Sequence, residues 1–348
     1  MNYFEKVKSL PIDKNAVILG IESSCDETAA AVVVGGRKVL SNVIISSATE
    51  QAKYGGVVPE IASRAHTEAV SDAVKQAIMA AGIDYSALTA IAVTYGAGLL
   101  GALLVGVSYA KSLAYSLSLP LIGVSHIRGH MAAGYLADEN LKPPFIMLLA
   151  SGGHTAIIKV DDYTDMTVLG GTMDDAAGEA FDKVARVLSL SYPGGPNIEK
   201  LAKSGYNTVK LPVMLKNQGG YNFSYSGLKT AVINYVHTFE QKGEDYNKAD
   251  VACSFQHSAV DILIDKAIEA CDEYSLDTIA VGGGVAANGY LRDTLTNKCR
   301  NRSIKLVLPE KVMCTDNAAM IAAEGYIQYI NGNFADLTLN AKASVPLK

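Results

Sequence analysis

The stretch Val17-Ile-Leu-Gly-Ile-Glu-Ser-Ser24 is an apolar run that ends in small polar residues, and Thr28-Ala-Ala-Ala-Val-Val-Val34 resumes it after a short polar turn. Two such runs joined by a turn predict a β-hairpin. The same form recurs in Phe145-Ile-Met-Leu-Leu-Ala-Ser151 and Thr155-Ala-Ile-Ile-Lys-Val160, around the turn Gly152-Gly153-His154. In both copies a Ser-x-x-x-Thr pattern spans the turn. The repeat predicts two related domains.

Strands and helices alternate through the rest of the chain. Apolar runs at 90–94, 121–124 and 278–281 predict strands, and longer periodic segments at 59–81, 176–189 and 249–274 predict helices. Glycines stand at several of the joints. This alternation predicts an α/β fold in which ligands bind where strands end.

The composition describes two compact domains: 348 residues, 49% hydrophobic and 19% charged. A net charge of −5 disfavours a general nucleic-acid binder but leaves room for a local basic face. The five cysteines are odd in number and never form a CxxC pair, so neither a disulfide framework nor a thiolate metal site is indicated. With no signal peptide and no apolar segment of about 18 residues, we expect a cytoplasmic protein without membrane contact.

One segment could supply the basic face. No Asp or Glu occurs from 200 to 239, and a second basic run follows at 298–305. Lysines with interleaved tyrosines suit a nucleic-acid backbone, although an ordinary solvated surface is the alternative. The lysines of the first segment are Lys200, Lys203, Lys210, Lys216 and Lys229.

His126 and His130 form the most informative pair of side chains. If this segment is helical, as the following Met131-Ala-Ala-Gly-Tyr-Leu suggests, the spacing places both imidazoles on one face, about 5–6 Å apart at Cβ, where they could share a metal ion. The pair is not a zinc-protease motif, because Ile127 occupies the position of the water-activating Glu. The alternative is two helix-surface histidines without a ligand.

Asp316 opens an apolar helix, where a carboxylate is also an ordinary capping residue. It would complete a site of two histidines and one carboxylate, a set suited to iron(II) or zinc. Spacing alone does not reveal whether Asp316 meets His126 and His130.

The glycine turns Gly152-Gly153 and Gly282-Gly283-Gly284 would let backbone N–H groups approach an anion. The standard nucleotide fingerprints GxGxxG and GxxxxGK[ST] are absent, so a nucleotide would be held another way. Asp182 lies on an amphipathic helix and is either a ligand-facing residue or part of a solvated face. Cys25 has no nearby histidine and is interpreted as a packing residue.

Taken together, several motifs resemble those of the bacterial tRNA adenosine threonylcarbamoyltransferases, a family once called glycoproteases. The resemblance runs from about residue 17 to 325. It rests on Gly20-Ile-Glu-Ser-Ser-Cys-Asp-Glu-Thr28, Pro59-Glu-Ile-Ala-Ser-Arg-Ala-His66, His126-x-x-x-His130, Ser151-Gly-Gly-His-Thr155, Glu-Ala-Phe-Asp182-Lys, Tyr192-Pro-Gly-Gly-Pro196, Phe223-Ser-Tyr-Ser-Gly-Leu-Lys229, Gly282-Gly-Gly-Val-Ala-Ala-Asn288 and Cys314-Thr-Asp316-Asn.

The resemblance implies an actin/Hsp70/sugar-kinase-type fold with an interdomain nucleotide and metal site. The first domain is expected to comprise 1–125 with a C-terminal return at 325–348. The second is expected at 126–324, with the lysine-rich insert at 197–230.

The implied reaction moves the threonylcarbamoyl group of threonylcarbamoyl-adenylate to the exocyclic amine of the adenosine 3′ of the anticodon, in tRNAs reading codons that begin with A. By the same resemblance, His126, His130 and Asp316 hold one divalent metal, Fe(II) or Zn. The adenylate is expected to contact Leu149, Ala150, Ser151, Gly152, Gly153, Asp182, Gly195, Glu199 and Asn288.

The resemblance also implies partners: tRNA, a paralogous subunit without the metal site, and a small ATPase subunit. Archaeal and eukaryotic relatives carry a metal-binding Tyr just ahead of Ser-Gly-Gly, where this chain has Leu149-Ala150, so one protein ligand fewer is expected here. The alternative function is a small-molecule kinase or ATPase of the same fold.

Overall fold

The computed structural model describes residues 2–215 and 218–346. Its strands are β1 (Val17–Glu22), β2 (Glu27–Val34), β3 (Lys38–Ser46), β4 (Ala90–Gly96), β5 (Leu121–Ser125), β6 (Phe145–Ala150), β7 (Thr155–Val160), β8 (Met166–Gly171), β9 (Thr278–Gly282) and β10 (Lys305–Val307). Its α-helices are α1 (Tyr3–Lys8), α2 (Ala48–Gln51), α3 (Pro59–Ala81), α4 (Leu100–Leu117), α5 (His126–Ala137), α6 (Ala177–Val187), α7 (Gly194–Ala202), α8 (Ser226–Lys242), α9 (Lys248–Tyr274), α10 (Gly289–Asn301), α11 (Lys311–Cys314) and α12 (Ala318–Ile330).

The chain divides into two compact units. Unit 1 comprises the residues up to Leu141 and those from Asp316 onward, and unit 2 comprises Lys142–Thr315. Unit 1 thus includes α5, which the sequence boundaries assigned to the second domain. The physical reason is packing against α12, where Arg128 forms an ion pair of 2.8 Å with the buried Glu324.

Each unit contains a five-stranded mixed sheet, and the two sheets share one plan. The first has the order β3-β2-β1-β4-β5 and the second has the order β10-β9-β6-β7-β8. In each, an antiparallel hairpin comes first (β1 with β2, β6 with β7), and a later strand then pairs parallel to the first hairpin strand (β4 with β1, β9 with β6). The two predicted hairpins and the duplication are therefore confirmed.

Both faces of β1 are covered in unit 1, which explains why it reads as a continuous apolar run. Leu19 and Ile21 join a core cluster with residues of α3 and α4. The other face packs on α12: a Cβ added at Gly20 would lie 2.3 Å from the carbonyl oxygen of Ala318. The close approach of α12 thus requires glycine at this position.

The core of unit 2 is built in the same way around β6. Ile146, Leu148 and Ala150 are fully buried and pack with side chains of α6, α8 and α9. Phe181 and Phe255 meet there with ring centroids 5.0 Å apart. This packing fixes α6, which carries the candidate nucleotide-binding residue Asp182.

Helix α4 is a longer apolar segment than any expected from the sequence. By length and composition alone it is apolar enough to cross a membrane, whereas no such segment was expected. Only 33% of it is buried, and the buried residues, including Leu103 and Val107, belong to the core of unit 1. It is a core helix with an exposed apolar side.

We predict that Gly20→Ala lowers the free energy of unfolding by about 1–3 kcal/mol, because the new methyl group overpacks β1 against α12. Urea titration of the full chain measures this change. Gly219→Ala is the matched control, since a Cβ there meets nothing within 4 Å. Equal stability of the two variants would contradict the close-packed β1–α12 contact.

Candidate metal centre and nucleotide-binding loops

The junction between β5 and α5 positions both histidines in unit 1. His126 is the first residue of α5 and His130 follows one turn later, so both face the same side, with ring centroids 4.5 Å apart. The predicted helix and the shared face are therefore present. Both side chains are buried, which differs from the helix-surface alternative.

Asp316 meets the two histidines. Its Oδ1 lies 3.5 Å from Nε2 of His126 and 3.2 Å from Nε2 of His130. One ligand atom from each of the three residues lies within 4.8 Å of the others. The capping of α12 falls instead to Asn317, whose side chain accepts a hydrogen bond from the Met320 backbone N–H. Asp316 is thus oriented toward the histidines and does not serve as the helix cap.

Glu22, at the end of β1, is a site residue that sequence reasoning missed. It is fully buried and lies 3.2 Å from Nδ1 of His126, on the side away from Asp316. It also accepts hydrogen bonds from the Thr94 hydroxyl at 2.6 Å and the Ser24 backbone N–H at 2.6 Å. A carboxylate at the end of an otherwise apolar strand was the available sequence signal.

The charges around the histidines differ. Burial alone would lower the pKa of His126, but the carboxylates of Asp316 and Glu22 outweigh it and raise the pKa to about 9. Burial and the neighbouring His126 lower the pKa of His130. Two carboxylates thus flank one buried imidazole, and this excess of negative charge suits a cation.

The ring nitrogens of His130 indicate whether the three residues fit a metal ion. Its Nδ1 and Nε2 are buried and have no hydrogen-bond partner that meets the usual geometric criteria among the described residues, although Nε2 lies 3.2 Å from Oδ1 of Asp316. Buried polar atoms normally have partners. An unpartnered imidazole nitrogen beside another imidazole and a carboxylate matches the donor set of a divalent transition metal. The three residues fit the metal that the sequence suggested.

In unit 2 the glycine turns meet at one end of the sheet. β6 and β9 run parallel, with Leu149 opposite Gly282, so the segments that follow them emerge side by side. Gly283 has a φ of +90°, and a Cβ there would lie 2.4 Å from the Ala150 carbonyl oxygen. Gly152 and Gly153 are exposed, whereas the side chains of Leu149 and Ala150 are fully buried. Only the main chain of these two residues can face a ligand.

Three helices join the same region. The Gly178 backbone N–H near the start of α6 donates to the Ser151 carbonyl oxygen at 3.1 Å. Asp182 accepts from the Gly194 backbone N–H at 2.7 Å, which anchors the start of α7 and adjacent Gly195. Glu199 lies close to Gly289, which follows Asn288: a Cβ added at Gly289 would be 2.9 Å from Oε1 of Glu199. These contacts bring all the predicted adenylate residues into one contiguous region of unit 2.

Acidic side chains form ion pairs with several lysines and arginines of the two predicted basic segments. Lys229 and Lys183 both pair with Asp175, and Lys203 lies 3.5 Å from Glu199. Lys216 lies outside the described residues. In the second basic run, Lys298 pairs with Asp265 and Arg302 with Asp272. Lys200 and Lys210 remain exposed. Asp175, Asp265 and Asp272 belong to other parts of the chain, so the lysine-rich segments alone did not reveal these three ion-pair partners.

The environment of the Cys25 thiol is consistent with a packing residue. Burial and the adjacent Asp26 raise the pKa of its thiol far above the ordinary value. The nucleophilic thiolate form is therefore strongly disfavoured.

The fold and these two regions define an α/β protein of the actin/Hsp70/sugar-kinase class. A solved structure with this architecture, component A of the (R)-2-hydroxyglutaryl-CoA dehydratase of Acidaminococcus fermentans, superposes with a TM-score of 0.54 at 15% identity. The superposition covers 90% of this chain and 99% of that one. At this identity the likeness shows the fold alone.

Sequence comparison identifies the family. Residues 38–323 match the family model described as tRNA N6-adenosine threonylcarbamoyltransferase. Relatives of that name from Clostridium perfringens (strain SM101) and Clostridium botulinum (strain Kyoto) are each 52% identical over 95% of this chain, covering 98% and 97% of their own lengths. The chain belongs to the tRNA N6-adenosine threonylcarbamoyltransferase family.

Proposed function

We propose that this chain transfers the threonylcarbamoyl group from threonylcarbamoyl-adenylate to the exocyclic amine of the adenosine 3′ of the anticodon, in tRNAs reading codons that begin with A. Family membership supports the reaction class. The single structural observation that carries the proposal is the convergence of His126, His130 and Asp316 within 4.8 Å. A kinase or ATPase function of the same fold gives no reason for that convergence.

The chemistry sets the requirements on the site. The amine nitrogen forms a bond to the carbamoyl carbon, the bond from that carbon to the phosphate oxygen breaks, and AMP leaves with the electron pair. The amine also loses a proton. An amine conjugated into a purine is a weak nucleophile, so positioning the amine and making the carbonyl electrophilic are the main tasks.

One divalent metal, Fe(II) or Zn, would be held by His126, His130 and Asp316. Two histidines and one carboxylate form the set typical of iron(II) sites with open positions. When bound, the ion would act as a Lewis acid toward the carbamoyl oxygen. Glu22 would hold Nδ1 of His126 and so direct Nε2 toward the ion, a role that carboxylates commonly have behind metal-binding histidines.

The residues of unit 2 would hold the adenylate. The exposed Gly152-Gly153 turn lies beside the start of α6, and the backbone N–H groups of the turn itself would approach a phosphate. Glu199 can accept hydrogen bonds from ribose hydroxyls, as acidic residues do in other nucleotide sites. Asn288 and the backbone around Gly195 would supply further polar contacts, and Asp182 holds the start of α7 in place.

We predict that His126→Ala reduces threonylcarbamoyl transfer on the order of 100-fold or more, because Lewis-acid stabilisation is worth several kcal/mol. The measurement is nucleoside mass spectrometry of bulk tRNA from depleted cells rescued with each variant. The matched control is His237→Ala, an exposed histidine on α8, which should restore threonylcarbamoyladenosine fully. Full restoration by His126→Ala would contradict a role for His126 in metal binding. An unchanged threonylcarbamoyladenosine level after depletion would contradict the proposed function itself.

The tRNA backbone would bind the exposed lysines of the insert, Lys200 and Lys210. We predict that the double variant Lys200→Gln/Lys210→Gln weakens tRNA binding and reduces the slope of log K against log salt by about 1.4–1.8, since each phosphate contact contributes about 0.7–0.9. Filter binding at several salt concentrations measures the slope. Lys38→Gln/Lys53→Gln, which removes two exposed charges from unit 1, is the control. An unchanged slope in the first variant would assign the insert another role.

We further propose that the protein acts in the cytoplasm with a paralogous subunit and a small ATPase subunit. The exposed side of α4 is the face best suited to the paralogous subunit. Leu100, Leu104 and Tyr115 are 49%, 41% and 61% exposed, and the intervening Ser108 and Ser112 are uncharged. Exposed apolar side chains on an uncharged helix face are a common feature of protein interfaces.

We predict that Leu104→Glu weakens binding of the paralogous subunit by about tenfold or more, because it places a charge at the centre of an apolar interface. Size-exclusion chromatography and calorimetry with the purified subunit measure the change. The control is Glu68→Gln on neighbouring α3, a change at an exposed polar position. If Leu104→Glu leaves subunit binding intact but abolishes binding to vesicles, the face contacts lipid instead.

A further inference from the structure

Asn288 has its amide orientation fixed by the surrounding fold. It is the N-cap of α10, and its Oδ1 accepts a hydrogen bond from the Leu291 backbone N–H at 3.0 Å. Because that partner is a donor, the amide atom facing it must be oxygen. The Nδ2 group is therefore directed to the opposite side, where it needs an acceptor.

Gln256 supplies that acceptor from a different helix. Nδ2 of Asn288 donates to Oε1 of Gln256, on α9, at 2.9 Å, and both side chains are buried. The Asn288 side chain is thus held at both ends, by the Leu291 backbone N–H at its oxygen and by Gln256 at its nitrogen.

The hydrogen-bond inventory leaves only donors for a ligand. Asn288 commits its oxygen to the helix and one Nδ2 proton to Gln256, which leaves the second Nδ2 proton. Gln256 commits its oxygen to Asn288 and so acts on the ligand through that amide. Glu199, beside Gly289, supplies an acceptor nearby. Such a combination matches ring nitrogens as acceptors and ribose hydroxyls as donors, both of which the nucleoside part of AMP presents.

We propose that Gln256 is a positioning residue for the nucleoside of the adenylate, acting by holding the amide of Asn288 with its free N–H toward the ligand. This inference rests on the proposed function, because it assumes that Asn288 contacts the adenylate. Without an acceptor at position 256, one Nδ2 proton of Asn288 is buried without a partner. Unsatisfied buried donors are costly, so the amide then leaves its ligand-facing orientation.

The test compares Gln256→Met, which removes the acceptor at similar volume, with Gln256→Glu, which retains an acceptor oxygen. Calorimetry of the full chain with AMP gives Kd, and transfer assays with the partner subunits give KM for threonylcarbamoyl-adenylate and kcat. Gln256→Met should raise Kd and KM about five- to tenfold with kcat unchanged, the loss expected for one hydrogen bond. Gln256→Glu should stay within about twofold of the wild type, because the bond to Asn288 is retained.

Ser254→Ala is the matched control on the same helix. Ser254 is buried and accepts a hydrogen bond from the Val209 backbone N–H at 3.0 Å, so its loss reduces stability without touching Asn288. Its Kd for AMP should equal that of the wild type. The inference is overturned if Gln256→Met binds AMP normally, if Gln256→Glu is as impaired as Gln256→Met, or if Ser254→Ala is equally impaired. Failure of the wild-type chain to bind AMP would instead overturn the proposed nucleotide site itself.

Discussion

The buried carboxylate of Glu22 is the constraint on which the candidate metal centre depends. It accepts hydrogen bonds from the Ser24 backbone N–H and the Thr94 hydroxyl and contacts the imidazole of His126. Glu22 therefore connects the ends of β1 and β4 with the start of α5. A fully buried charge is costly unless it is bonded in this way. Satisfying Glu22 therefore fixes where His126 points, and His130 follows one helical turn later.

In unit 2 the candidate ligand-binding contacts come mainly from neutral groups. There the ends of β6 and β9 bring two glycine segments together, and backbone and amide groups supply the polar contacts. The same strand plan thus supports two different chemistries: side-chain donors suited to a cation in unit 1, and backbone N–H groups suited to an anion in unit 2. The difference lies in the residues that follow the strands.

Local pattern predicted much of this arrangement. The helix bounds of α3, the helical conformation after His126, the two hairpins and the shared face of His126 and His130 follow from periodicity and short-range spacing, which the chain itself fixes. Contacts across distant segments did not follow. The ion pair of Lys229 with Asp175, the packing of α5 on α12, and the role of Glu22 all depend on residues far apart in sequence.

The sequence by itself determined the α/β class, the duplicated hairpins and the family motifs, because these reside in runs of neighbouring residues whose conformations are set locally. Only the tertiary structure decided that Asp316 meets the histidines, that Asn317 rather than Asp316 caps α12, and that Asn288 donates a hydrogen bond to Gln256. Those relations arise where separate elements pack, and hydrogen-bond satisfaction in the buried interior selects one partner for each polar atom.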